Sequence, residues 1–193
     1  MKRLANDGGV ESVGPTAFRM ERSGGLLGSR TLTGCLLAAY LVVLAWIILL
    51  KMQFSLDVVG TMRSVNLVPL AGATVINGAA DYKEVVQNVL AFVPFGLYLG
   101  MIFGRRSLWW GLAPVALVSL AFEVLQFAFA MGASDVTDLM ANTAGGALGL
   151  CLYALVRLAA RSDGRALRAC NAVALAGTVL VLVFLGVLIA ANL

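Results

Sequence analysis

Five long apolar runs separated by polar breaks make up most of the chain: Thr31–Leu50, Val85–Phe103, Leu108–Ala130, Leu139–Ala160 and Asn171–Asn192. Crossing ~30 Å of hydrocarbon takes roughly 20 helical residues, and each run has about that many. Inside lipid a chain must satisfy its own backbone N–H and C=O groups, so runs of this kind predict helices. The expected fold class is all-α, a polytopic transmembrane helical bundle with five spanning helices. The first and fifth runs are almost featureless Leu, Val, Ile and Ala, which suits packing and anchoring. The middle three carry nearly all the embedded polar and small residues and are expected to form an inner trio. Pro94 interrupts the second run and predicts a kink unless neighbouring groups satisfy the freed carbonyl.

The breaks set the connectivity. Residues 104–107 and 131–138 are short, so the second and third helices, and the third and fourth, are expected to run antiparallel. The connection 51–84 is the long one, at 34 residues. Within it Asn66-Leu67-Val68-Pro69-Leu70 is apolar with a helix-interrupting proline, the pattern of a segment lying at the membrane interface or re-entering it. Asn77-Gly78 is a turn dipeptide, and Asp81 is placed to cap a helix beginning near Tyr82. Residues 1–30 hold six of the 21 glycines and few large aliphatics, and are read as a mobile basic tail ahead of a bundle spanning 31–193. The first run is expected to be a retained anchor, since Lys51-Met52-Gln53-Phe54 offers no small-x-small cleavage site.

Composition agrees: 61% of residues are hydrophobic, 12% are charged and mean hydropathy is +0.93. The net charge of +4 matters less than where the cations fall. With a cytoplasmic N-terminus, 11 basic residues lie inside: Lys2, Arg3, Arg19, Arg22, Arg30, Arg105, Arg106, Arg157, Arg161, Arg165 and Arg168. Only Lys51, Arg63 and Lys83 lie outside. This asymmetry predicts N-in, C-out and reads the basic excess as a topology signal, with membrane lipids and no nucleic acid as partners. The chain has no histidine, which excludes Ser-His and Cys-His catalysis and any His-ligated metal. Cys35, Cys151 and Cys170 fall in or beside apolar runs without metal-ligand spacing, and no structural disulfide is expected. No cofactor is implied.

Candidate chemistry concentrates in one strip. Glu123 is the only charged residue in Leu108–Ala130, and an intramembrane acid by default marks a functional site. Gln126 follows on the same helical face, then Asp135, Asp138 and Asn142, with no Lys or Arg between Arg106 and Arg157. Counting residues at 1.5 Å of rise puts Asn88, Glu123, Gln126, Asp135, Asp138 and Asn142 in a single outer-half layer. Each also has a plainer reading. Asp138 suits an N-cap of the fourth helix, Asn142 and Gln126 can bond between helices, and Glu123 can be a protonated structural donor. Asp135 and Asp138 with Glu123 form a weak divalent-cation pattern. Asn142, Gly145 or Gly146, and Gly149 make a small-residue stripe that lets backbones approach.

At these residues the sequence resembles the VanZ-like family of bacterial membrane proteins, named for teicoplanin resistance. Three segments carry the resemblance: Asn66-Leu67-Val68-Pro69-Leu70; Asn88-Val89-Leu90-Ala91-Phe92-Val93-Pro94-Phe95-Gly96; and Glu123-x-x-Gln126 followed by Asp135-x-x-Asp138-x-x-x-Asn142-x-x-Gly145-Gly146. They cover roughly residues 60–155. The family pattern commonly places an Arg three residues before the first of these aspartates, where this chain has Gly132; Arg63 or Lys83 is the candidate replacement. The resemblance implies a protein of the bacterial cell membrane, linked in some members to lowered susceptibility to a lipoglycopeptide antibiotic.

Three functional readings follow. The first is a binding or envelope-modulating protein whose cavity, between the second, third and fourth helices, opens to the outer leaflet and holds a polar headgroup, of a lipid-linked cell-wall precursor or of the lipoglycopeptide. The second is an intramembrane enzyme acting on such a lipid, with Glu123 as acid/base and Asp135 and Asp138 on a cation. The third is a cation- or proton-coupled transporter, for which five helices without an inverted repeat would need an oligomer. Reporter fusions at Arg105 and Gly132 test the topology beneath all three: the first should report the cytoplasm and the second the outside, and the reverse pattern would overturn the depth assignment.

Overall fold

The computed structural model describes residues 25–50, 62–66, 75–76, 79–80, 82–104, 106 and 108–192. The expected interfacial Asn66–Leu70 segment beyond Asn66, the Asn77-Gly78 turn and the Asp81 cap lie outside them, as does the tail through residue 24. Five long helices carry the fold: α1 (Arg30–Leu50), α2 (Lys83–Phe103), α3 (Leu108–Ala128), α4 (Val136–Ala160) and α5 (Asp163–Asn192). All five are long and apolar enough to cross a membrane. A short 3-10 turn, Leu26–Gly28, precedes α1.

Two connections differ from expectation. The break after α3 is an extended strand, β4 (Met131–Asp135), which pairs in parallel with β1 (Met62–Asn66) from the long connection. A second pairing joins β2 (Val75–Ile76) to β3 (Ala79–Ala80) antiparallel. Periodicity along one segment cannot reveal the β1–β4 pairing, because each strand finds its donors and acceptors on a remote one. The other difference lies between α4 and α5. A basic loop was expected there, but α5 begins at Asp163, after only Arg161 and Ser162. Arg161 makes the turn in the left-handed region, at φ 53° and ψ 19°.

Lipid tails are as apolar as leucine, so helix association within a membrane rests on close packing. The most extensive interface joins α2 to α4. There Gly96-x-x-x-Gly100 meets Gly145-x-x-x-Gly149, and the two helices run parallel, Val89 lying against Gly145 and Val93 against Gly149. A Cβ on Gly145 would sit 2.2 Å from the Val89 carbonyl oxygen, and one on Gly149 would sit 2.0 Å from that of Val93. A Cβ on Gly96 would fall 2.0 Å from the Gly146 carbonyl oxygen. These are backbone atoms that no rotamer change can move aside. Gly146 itself turns toward α3, where a Cβ would meet the Val115 side chain at 2.5 Å. On α3, Gly111, Val115 and Ser119 face Leu150, Gly146 and Asn142 in turn, which fixes α3 antiparallel to α4.

Helix α2 stays continuous across Pro94. Proline withholds a donor from the carbonyl four residues earlier, that of Leu90. The next carbonyl, of Ala91, accepts a hydrogen bond from the Tyr40 hydroxyl of α1. Two buried clusters fill the bundle: Phe92, Phe95, Leu99, Val115 and Phe122 with Leu44 of α1, and Tyr98, Met101, Tyr153 and Cys170 with Leu36. The outer helices are not wholly featureless either. Thr33 Oγ1 donates to Asn171 Oδ1 at 2.9 Å, and Asn171 Nδ2 donates to the Leu27 carbonyl at 2.8 Å, tying the start of α1 to α5 through two fully buried residues.

The glycine contact yields a sharp expectation. Gly149→Ala should destabilise the bundle by about 1–3 kcal/mol, the scale of core overpacking, and lower the folded yield in detergent. Gly177→Ala, with nothing within 4 Å of the added carbon, should be neutral. Thermal unfolding of both in one detergent checks this, and equal tolerance would remove the packing claim.

Candidate functional site

The α3 stripe that packs on α4 continues past Ser119 into Glu123 and Gln126, and there it changes from apolar to polar. All three are buried, with Ser119 fully enclosed and Glu123 and Gln126 8% and 6% exposed. Asn142 is 1% exposed and donates through Nδ2 to Ser119 Oγ at 2.9 Å. Gln126 Nε2 donates to the Ile48 carbonyl at 3.1 Å, near the C-terminal end of α1. The acceptor is a carbonyl, so the amide orientation is fixed: the nitrogen faces Ile48 and the oxygen faces away. Among the described residues, Gln126 Oε1 and Asn142 Oδ1 are buried without a hydrogen-bond partner.

Glu123 reaches the start of α4. Its Oε2 accepts the backbone N–H of Asp135 at 3.0 Å. Asp135, and not Asp138 as expected, is the N-cap: its backbone is extended and its Oδ1 accepts the Thr137 N–H at 2.8 Å. Asp138 falls in the first helical turn, three residues beyond the cap. In a capping box the side chain at that position returns to the cap residue's own N–H. Here the bond is supplied by Glu123 from a different helix, so one carboxylate fastens the end of α3 to the beginning of α4. Negative charge at this place is favoured by the unsatisfied N–H groups of the helix start. Glu123 therefore acts as an acceptor at this oxygen, and the protonated-donor reading is not needed to explain its burial.

The remaining candidates fall around this core. Asn88 is half-buried on α2, one residue from the Val89 carbonyl that approaches Gly145, and so stands at the level of Asn142. Among the described residues it makes no side-chain hydrogen bond to the others. Arg63 lies on β1, where the strand register sets its Cα opposite Gly132, while Lys83 begins α2 and is exposed. Arg63 is thus the candidate whose backbone is adjacent to the vacated position. Among the described residues, no group of three or more Asp, Glu, Cys or His could hold a metal ion.

The structure adds residues that the sequence reading passed over. Ser119 is Asn142's partner, and its signal was present: it lies four residues before Glu123 on the same face. The Ile48 carbonyl is a backbone group and leaves no mark in sequence. The α2 glycines Gly96 and Gly100 repeat the α4 spacing and could have been paired with it.

A cavity of about 600 Å3 lies among α1, α2, α4 and α5, apart from the space between α2, α3 and α4 where the headgroup cavity is expected. Tyr40, Val93, Pro94, Tyr98 and Gly177 are among its almost wholly apolar walls. The interior beside the polar layer is filled by Phe92 and Phe122, whose rings meet edge-on with centroids 6.3 Å apart.

Comparison with known proteins places this arrangement. No solved structure matches the chain. Over 122 residues it is 43% identical to Protein VanZ of Enterococcus faecium, covering 62% of this chain and 72% of that protein. The VanZ/LLP1 family model matches residues 37–157, from within α1 almost to the end of α4, and so contains the glycine contact and the whole polar layer. This five-helix membrane protein belongs to the VanZ/LLP1 family.

Proposed function

We propose that the protein works in the bacterial cell membrane in the manner of teicoplanin-resistance proteins, with the layer around Glu123 as its working site. The protein lies N-in and C-out, so that the layer faces the outer leaflet. The site receives a polar group, of a lipid-linked cell-wall precursor or of the lipoglycopeptide, that carries N–H or O–H donors.

The observation that supports this reading is the pair of buried carbonyl oxygens on Gln126 and Asn142. A buried acceptor left unmade costs about 1–3 kcal/mol, and two of them on facing helices beside a carboxylate are not explained by helix packing. A donor-bearing ligand satisfies both, and a purely structural layer would leave them empty. Glu123 then has two tasks. It holds the α4 N-terminus through Asp135, and it gives the site its acidic character. The distribution of cations supports the orientation: Arg30, Arg106, Arg157, Arg161, Arg165 and Arg168 gather at the bundle end remote from this layer.

Glu123→Gln separates scaffold from site. The amide keeps an oxygen that can accept the Asp135 N–H, so the variant should fold and reach the membrane at a level within about twofold of the parent. Expressed in a glycopeptide-sensitive bacterium, the parent should lower teicoplanin susceptibility, and the variant should return it to that of the empty vector. Full protection by a well-expressed variant, or none by the parent, would contradict the proposal.

A further inference from the structure

The bundle end remote from Glu123 holds a second cavity, of about 210 Å3, between α2, α3 and α4. Gly100, Gly111, Leu150 and Tyr153 wall it, and two arginines, Arg106 and Arg157, are among its lining residues. No carboxylate is among its described lining residues. Arg157 projects from α4 one helical turn beyond Tyr153, with its side chain 23% exposed. Its Nη1 is sealed from solvent and donates to nothing among the described residues. The neighbouring acid, Asp163, is 64% exposed and stands 3.9 Å from Nε, beyond hydrogen-bond reach. Arginine keeps its charge in any protein setting, so its buried donor cannot be relieved by losing a proton.

Arg106 is held differently. Its guanidinium carbon lies 5.7 Å from the centre of the Trp110 ring, a cation–π contact, and no anionic partner is present among the described residues. Exposed Arg30, Arg161, Arg165 and Arg168 surround the same end and add to its positive field. Cys151 and Ala154, which also line the cavity, are exposed on α4 and continue into the exposed apolar surface of Leu155 and Leu158. The cavity therefore opens toward the flank where lipid lies.

We infer that this cavity binds a phosphate group, with Arg157 as the principal donor and Arg106 closing the rim. Phosphate offers several acceptor oxygens to a planar fork of N–H donors, and basic pockets between spanning helices on the positively charged side suit anionic headgroups. The phosphate can come from the headgroup of an anionic membrane lipid, with its acyl chains along Leu155 and Leu158, or from free inorganic phosphate.

Native mass spectrometry of the full chain, released from detergent with phosphatidylglycerol or with the phosphate-free diacylglycerol of the same acyl chains, tests the lipid source. The wild type should retain phosphatidylglycerol about tenfold over diacylglycerol, and Arg157→Gln should remove that preference, the scale of one charge-assisted hydrogen bond. Arg106→Gln should reduce it partly, which keeps the test available if the Arg157 variant does not fold. Arg165→Gln, at the same end but outside the cavity, should leave it unchanged. Thermal unfolding in millimolar inorganic phosphate tests the other source: stabilisation lost in either cavity variant, without a lipid preference, assigns the site to the free anion. Equal retention of both lipids with no phosphate-induced stabilisation overturns the proposal. So does a preference, or a stabilisation, that both cavity variants leave intact.

Discussion

The close approach of α2 and α4 is the constraint on which the rest of the bundle depends. Without a hydrophobic driving force between helices in lipid, two backbones come together only where side chains are absent on both sides. Gly96, Gly145 and Gly149 provide that absence, and each lies too near a facing carbonyl to admit even a methyl group. The contact fixes the axial register of α2 against α4. It follows that Asn88 stands level with Asn142, and that the Phe92 ring meets Phe122 edge-on. Helix α3 is then positioned against α4 by a second set of small-to-large fits, Gly111 to Leu150 and Gly146 to Val115.

The polar layer is the continuation of that second interface. The same face of α3 that is apolar at Val115 becomes hydroxyl at Ser119, carboxylate at Glu123 and amide at Gln126. Each group finds a partner from a different element: Asn142 of α4, the Asp135 amide at the mouth of α4, and the Ile48 carbonyl of α1. Interhelical bonds of this kind contribute about 0.6 kcal/mol on average within membranes, so together they add less to stability than to register. Their greater consequence is chemical, because they leave two buried carbonyl oxygens without a donor among the described residues. At the other end of the bundle the imbalance has the opposite sign, with a guanidinium nitrogen of Arg157 that has no acceptor among the described residues.

Much of this was legible in the sequence. Run length against bilayer thickness gave all five helices, to within a few residues for the first four, and the lone acid in an apolar run picked out Glu123 as a candidate. The small-residue stripe of α4 was visible as spacing, although its division between Gly145 and Gly149 facing α2 and Gly146 facing α3 needed the third dimension. The parallel β1–β4 pairing was not legible, because its two strands are remote in sequence and too short to show a period. The cap assignment failed by three residues for a similar reason. A D-x-x-D pair offers two N-cap choices, and the extended backbone of Asp135 with its bond to the Thr137 N–H distinguishes them. The start expected for α5, at Asn171, fell short of the observed Asp163 because Arg165 and Arg168 read as loop, whereas helical residues near a membrane face carry such charges with ease.

The register of α2 against α4 can be measured directly by disulfide formation. A Cβ built on Gly100 lies 2.9 Å from that of Tyr153, so a slight parting of the helices brings the pair to the ~3.8 Å that a disulfide favours. With Cys35, Cys151 and Cys170 replaced by serine or alanine, the pair Gly100→Cys and Tyr153→Cys should cross-link on mild oxidation within one chain, while Gly100→Cys with Asn142→Cys should not. Cross-linking of the second pair and not the first would mean that the two helices do not run parallel in this register. The alignment of Asn88, Glu123 and Asn142 would then be lost with it.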